Sequence, residues 1–215
     1  TDTRGEGAMQ GYARPGIVMA SMIEAGPLIS SLYLSPAGEG PVRVFSADGG
    51  PVLAVSGIGK VNAALAAEYL VLKYGAAAIF NIGAAGATGN GLNTGDIFHI
   101  GAIIEPDRPR IMNRSQRSSA PDTLDGFPMA SLATVDRPLV SASERASVAG
   151  RADLVDMEGA AVLQACRMFR ARCYLFKMVS DTPEHESDTQ IVENIRRLAS
   201  PLADFFVGKV LPLSA

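Results

Sequence analysis

"AAIFNIGAAG", residues 77–86, is apolar almost throughout and then runs into alanine and glycine. A strand with one solvated face alternates apolar and polar side chains. A continuous run reads instead as a strand buried on both faces. The small residues at its end let a flat ligand approach the backbone closely, although a plain turn is the simpler local reading. Similar runs recur in "GIVMASMI" (16–23), "DIFHIGAII" (96–104) and "CYLFKMV" (173–179). "VRVFS" (42–46) and "PVLAVSG" (51–57) read as a hairpin turning at Asp48-Gly49-Gly50. "LATVDRP" (132–138), stopped by Pro138, and the short "ADLVDM" (152–157) complete the expected strands.

Helical patterns lie between them. From Lys60 to Tyr74 alanine is abundant, and Val61, Leu65, Tyr69 and Leu72 share one helical face. A helix is expected from about Glu158 to Phe169. Another is expected over 188–210, where Ile191, Ile195, Leu198, Leu202 and Phe205 recur at spacings of three and four. Strands that alternate with helices imply an α/β fold. The expectation is a single three-layer αβα domain over 16–215 with a central mixed, mostly parallel sheet, behind a flexible N-terminal lead-in at 1–15. The segment 105–131 is rich in Pro, Ser and Arg, and reads as a mobile lid or a variable insertion. Its Arg108, Arg110, Arg114 and Arg117 form either a solvated basic loop or a lid that meets an anionic substituent.

Composition removes several classes of function. The 215 residues are 47 % hydrophobic and 19 % charged, enough for a full core and unlike a disordered tail. A net charge of −3 argues against a general nucleic-acid binder. No apolar run approaches the roughly 18 residues of a membrane span, so no membrane partner is expected. Cys166 and Cys173 sit in apolar surroundings and make no disulfide framework, which fits a cytoplasmic setting. His99 and His185 stand far apart without cysteine companions, so no metal and no cofactor are expected.

In open α/β sheets ligands sit beyond the carboxyl ends of the strands. "SGIGKV" (56–61) follows a strand and opens a helix, so its N–H groups could face an anion. Yet Val61 stands where a P-loop needs Ser or Thr, and Asn62 where a dinucleotide fingerprint needs Gly or Ala. Three carboxylates are placed more suggestively. Glu24 closes an apolar strand and starts a helix, Glu158 opens a helix, and Asp181 stands at a strand tip. Each has an ordinary explanation in the helix dipole or in capping. For Asp181 that explanation is weaker, because Thr182 and Pro183 already form a good cap. Together they suit the cleavage of a glycosidic bond, where one carboxyl protonates the leaving group and another activates water.

"IVMASMIEAGPL" (17–28), "SGIGKVNAALAAEYL" (56–70), "NIGAAGA" (81–87), "VDMEGAAV" (155–162) and "MVSDTPE" (178–184), in this order, resemble the nucleoside phosphorylase/nucleosidase superfamily. They most resemble its 5′-methylthioadenosine/S-adenosylhomocysteine nucleosidase branch. The match covers about 16–104 and 132–210. "TVDRP" (134–138) is also similar to the branch that removes adenine from adenosylated lipid precursors. The resemblance implies hydrolysis of the N-glycosidic bond of a purine, adenine-type nucleoside. Asp181 would be the general acid at N7 and Glu24 the activator of water. Glu158 would bind ribose hydroxyls and Met157 would pack on the sugar. Ser180 would support Asp181, and Ala84, Ala85 and Gly86 would lie against base or sugar. It also implies a homo-oligomer, a dimer first, in which a neighbouring subunit completes the pocket.

A phosphorylase of the same fold is the alternative. No arginine occurs in 24–42, and Asn81 stands where the phosphorylases carry another, which favours water as nucleophile. A non-catalytic nucleoside-binding relative would lack the acid or the activator, and both positions are filled. Two departures concern the base: Ala84 replaces the branch's usual Ser, and "TVDRP" offers no aromatic ring for stacking.

Overall fold

The computed structural model describes residues 14–89, 91–108, 118–184 and 187–214. Most of the expected lead-in and the centre of the 105–131 loop, with Arg110, Arg114 and Arg117, lie outside them, as does His185.

The chain begins with β1 (Pro15–Met19), α1 (Met22–Ser31), β2 (Ser35–Pro36), β3 (Arg43–Ser46) and β4 (Val52–Val55). It continues through α2 (Lys60–Tyr74), β5 (Ala78–Ala87), β6 (Ile97–Ile104), β7 (Met129–Thr134) and α3 (Ala142–Ala149). β8 (Leu154–Asp156), α4 (Gly159–Phe169), β9 (Arg172–Asp181) and α5 (Asp188–Phe205) complete it. The final helix widens into a π turn over Phe206–Val210.

The nine strands among the described residues join one mixed sheet in the order β2-β3-β4-β1-β5-β8-β7-β6-β9. Five of its nine pairings are parallel, and four are antiparallel. β9 also pairs along its length with β5, so β5, β8, β7, β6 and β9 close into a ring beside the open half of the sheet. The β5–β9 register slips by one residue after Ala85, so that Gly86 stands opposite Asp181. Such a bulge re-aims the side chains around it.

Helices cover both faces. Val18 and Ile79 join one core cluster with Ala63, Ala66, Ala67 and Leu70 of α2 and Val162, Leu163 and Cys166 of α4. Ile17, Met19, Phe80 and Ile82 face the other way, against Leu28 of α1 and Leu198 and Leu202 of α5. Strands buried on both sides explain the unbroken apolar runs.

Three expectations need correction. The first strand ends at Met19, not Ile23, because Ser21 caps α1. α5 starts at Asp188 with Ser187 as its cap, so Thr182 and Pro183 do not cap it. On α2 the predicted face is largely the outer one: Val61 is 72 % exposed, Leu65 53 % and Leu72 63 %. Alanines are buried instead, because their size lets the helix lie close to the sheet. The fit is tight enough that a Cβ on Gly16 would stand 2.6 Å from Ile79 and 3.2 Å from Leu70. α2 itself runs between Gly59 and Gly75, whose φ angles of 102° and 67° are readily taken by glycine.

Candidate active site

A cleft of about 250 Å³ opens where several strands end. Glu24, Ala84, Ala85, Gly86, Met157, Glu158, Ser180 and Asp181 all line it. The residues singled out from the sequence therefore converge, although they come from four separate stretches of chain.

Glu24 lies in the first turn of α1. Its Oε1 accepts the Ala84 N–H at 2.9 Å, and its Oε2 accepts the Ser21 hydroxyl at 2.7 Å. A Cβ on Gly83 would stand 2.8 Å from that Oε1. The turn expected at 83–86 is instead part of β5, and the missing Cβ of Gly83 makes room there for the carboxylate.

Glu158 occupies the N-cap position of α4 but does not cap it. Capping falls to Asp156, whose Oδ2 accepts the Gly159 N–H at 2.8 Å, and to Thr134, whose hydroxyl accepts the Ala160 N–H at 3.0 Å. Freed from that role, the Glu158 carboxylate crosses to the β4–α2 turn and accepts the Gly59 N–H at 2.8 Å. The anion facing "SGIG" is therefore a protein carboxylate. Burial, and next the charge of Asp156, push Glu158 up to about 7, against the opposing pull of Lys177 and the Gly59 N–H. Lys177 is fully buried within β9, with Nζ 2.9 Å from Asp156 Oδ2. Burial works against its ammonium, but Asp156 and Glu158 outweigh it and raise its pKa.

Asp181 ends β9 at the bulge and is 3 % exposed. The Ser180 hydroxyl donates to Oδ1, and the Arg145 guanidinium donates to Oδ2. Arg145 comes from α3, is itself buried, and also donates to the Ala87 carbonyl at 2.8 Å. Sequence reasoning missed this residue and its helix. A signal for the helix was present: Ser141 and Glu144 form a reciprocal capping box. Nothing local marks Arg145 as buried, because a short polar helix reads as exposed. Ser21, Asp156 and Lys177 were also passed over.

The remaining wall is aliphatic. Val135, Pro138 and Leu139 line it, with Ile191, Val192 and Ile195 of α5. The stripe read on α5 thus divides, with Ile191 and Ile195 at the cleft and Leu198 and Leu202 in the core. Arg108, the described arginine of the long loop's basic set, pairs with Glu105 at 3.1 Å away from the cleft. Among the described residues no group of three or more His, Cys, Asp or Glu is arranged to hold a metal. His99 is instead packed in the core. Its Nε2 accepts the Leu124 N–H at 2.9 Å, its Nδ1 stands 2.8 Å from the Leu175 carbonyl, and burial lowers its pKa.

A family model, the phosphorylase superfamily, matches residues 16–149 and 130–211. The aminodeoxyfutalosine nucleosidase of Campylobacter jejuni is 25 % identical over 177 residues, covering 72 % of this chain and 77 % of its own. The 5′-methylthioadenosine/S-adenosylhomocysteine nucleosidase of Bacillus subtilis is 28 % identical over 175 residues, 69 % of this chain and 75 % of that one. Among solved structures, the methylthioadenosine/S-adenosylhomocysteine nucleosidase of Helicobacter pylori superposes with a TM-score of 0.83 at 19 % identity. That alignment covers 93 % of this chain and 98 % of the other. At that identity the likeness shows a shared fold.

Proposed function

This chain belongs to the phosphorylase superfamily, and on that premise we propose that it hydrolyses the N-glycosidic bond of a purine nucleoside of the methylthioadenosine or adenosylhomocysteine type. The convergence of Glu24, Glu158 and Asp181 on one cleft carries this reading. Asp181 protonates N7 of the base, which turns a poor leaving group into a neutral purine. Ser180 and Arg145 hold its two oxygens and set its direction, and the proton it passes to N7 is taken up from solvent at one of these oxygens in place of a donor. Glu24, oriented by Ser21 and the Ala84 N–H, takes a proton from water as that water attacks C1′. Glu158 receives the ribose hydroxyls and Met157 packs on the sugar. As the bond to the base breaks, the ribosyl centre becomes cation-like, and the carboxylates around it favour that charge.

Water suits the site better than phosphate. A phosphate needs cationic or multiple N–H donors. Arg145, the cation that lines the cleft among the described residues, is engaged with Asp181. Asn81 does not line the cleft, and its Nδ2 donates to the Val18 carbonyl at 3.2 Å. Purified protein given methylthioadenosine is expected to release free adenine at the same rate with and without phosphate. Release that requires phosphate would make the enzyme a phosphorylase.

The outer face of α2 supports a homodimer. Val61, Leu65 and Leu72 are exposed there, and they continue to Ile58, which lines the cleft and is 62 % exposed. A second copy on this face buries the stripe and narrows the cleft mouth. Light scattering is expected to give twice the chain mass, reduced to one chain by Leu65→Glu. A monomeric wild-type protein would contradict this assembly.

A further inference from the structure

We propose that Lys60 is a positioning residue: it ties the "TVDRP" wall of the cleft to the turn that holds Glu158, and so sets how tightly substrate is held. The inference rests on the reading above for its choice of substrate. Lys60 is the first residue of α2 and does not itself line the cleft. It directly follows Ile58, which does, and Gly59, whose N–H donates to Glu158 at 2.8 Å. Its Nζ stands 2.8 Å from Asp107 Oδ1, 3.2 Å from Asp136 Oδ1 and 3.8 Å from Glu105 Oε1. Asp107 Oδ2 in turn accepts the Asp136 N–H at 2.5 Å. One carboxylate is thus shared between the ammonium and the backbone of the wall.

The wall depends on such ties. Val135, Pro138 and Leu139 line the cleft, yet they lie between β7 and α3 and belong to no strand or helix. The Val135 N–H is held by the Asp156 carbonyl at 2.9 Å. Beyond it, Asp136 is anchored to Asp107 and Lys60, and Arg137 pairs with Glu144 of α3. The segment is therefore fixed by α2 on one side and by α3 on the other.

The tie works through charge. The Asp107 and Asp136 carboxylates both lie within 3.2 Å of one nitrogen, so without its charge they repel each other. The Lys60 side chain is 16 % exposed, so solvent screens it less than a surface lysine. Asp136 is exposed, and its carboxylate is the weaker partner; its N–H to Asp107 is the firmer link. Burial works against the Lys60 ammonium, but Asp107 and Asp136 outweigh it and raise its pKa. Burial likewise opposes the Asp107 carboxylate, and Lys60 with the Asp136 N–H outweighs it and lowers its pKa.

Hydrogen exchange reads the tie itself. In Lys60→Met, peptides covering 135–140 are expected to exchange about five-fold faster or more, while β9 is unchanged. Turnover of methylthioadenosine reads the consequence. Lys60→Met is expected to raise KM by roughly three- to ten-fold and to leave kcat within about two-fold. Lys60→Arg keeps the charge and should hold both values near wild type. Asp107→Asn added to Lys60→Met removes the repulsion but keeps an oxygen for the Asp136 N–H, and should lower KM again. If wild-type protein binds methylthioadenosine without cleaving it, hydrolysis is overturned. Calorimetric binding then replaces KM, and weaker binding in Lys60→Met would leave the role of Lys60 standing. Unchanged exchange over 135–140, unchanged KM or affinity despite faster exchange, or no recovery with Asp107→Asn would overturn that role.

Discussion

Asp181→Asn is expected to reduce kcat for adenine release by about 10²–10⁴-fold, the range lost when a general acid is removed. Asparagine keeps the size of the side chain and can still accept from Ser180, but it has no acidic proton to give N7. The substitution has a second consequence. Arg145 and Asp181 form a buried ion pair, with side chains 2 % and 5 % exposed. Removing one partner of such a pair destabilises a protein by about 3–5 kcal/mol, because the other charge stays buried alone. Asp181→Asn should therefore lower the melting temperature as well as the rate. Asp181→Asn combined with Arg145→Met removes both charges, and should regain stability without regaining activity. That separation distinguishes a lost acid from a damaged fold. A folded Asp181→Asn protein with a near-normal kcat would show that the proton comes from elsewhere.

Glu24→Gln is expected to lower kcat by a similar factor, about 10²–10⁴, with little change in KM. Glutamine can still accept from the Ala84 N–H and face Ser21, so the α1 turn and the β5 contact persist. What it loses is the basicity needed to take a proton from water. Because Glu24 is assigned to water and not to the ribose, substrate affinity should hold while turnover fails. An equal loss in KM would move Glu24 from activating water to binding the sugar.

How far these residues could be read from the chain follows from what sets each position. Glu24, Glu158 and Asp181 were legible because each sits near the end of an apolar run, and strand ends are where such folds place ligands. α2 was legible from Lys60 to Tyr74 because glycine punctuates both ends. Its buried face was not, because hydropathy favours Leu65 and Leu72 while close packing against the sheet selects Ala63, Ala66 and Ala67. The start of α5 at Asp188 was legible, but its cap was misread because a Thr-Pro pair looks like one, whereas Ser187 takes that role. The ring closed by β5 and β9 joins strands far apart in the chain, and no local pattern announces that pairing. Arg145 was hidden for the same reason: its burial depends on Asp181, 36 positions away.

The central claim is that water, activated by Glu24, attacks the sugar while Asp181 protonates the base. The identity of the sugar product tests it most directly. With methylthioadenosine in phosphate buffer, mass spectrometry and phosphorus NMR should find adenine and free methylthioribose, with no sugar phosphate. Methylthioribose 1-phosphate formed in step with adenine would contradict the account.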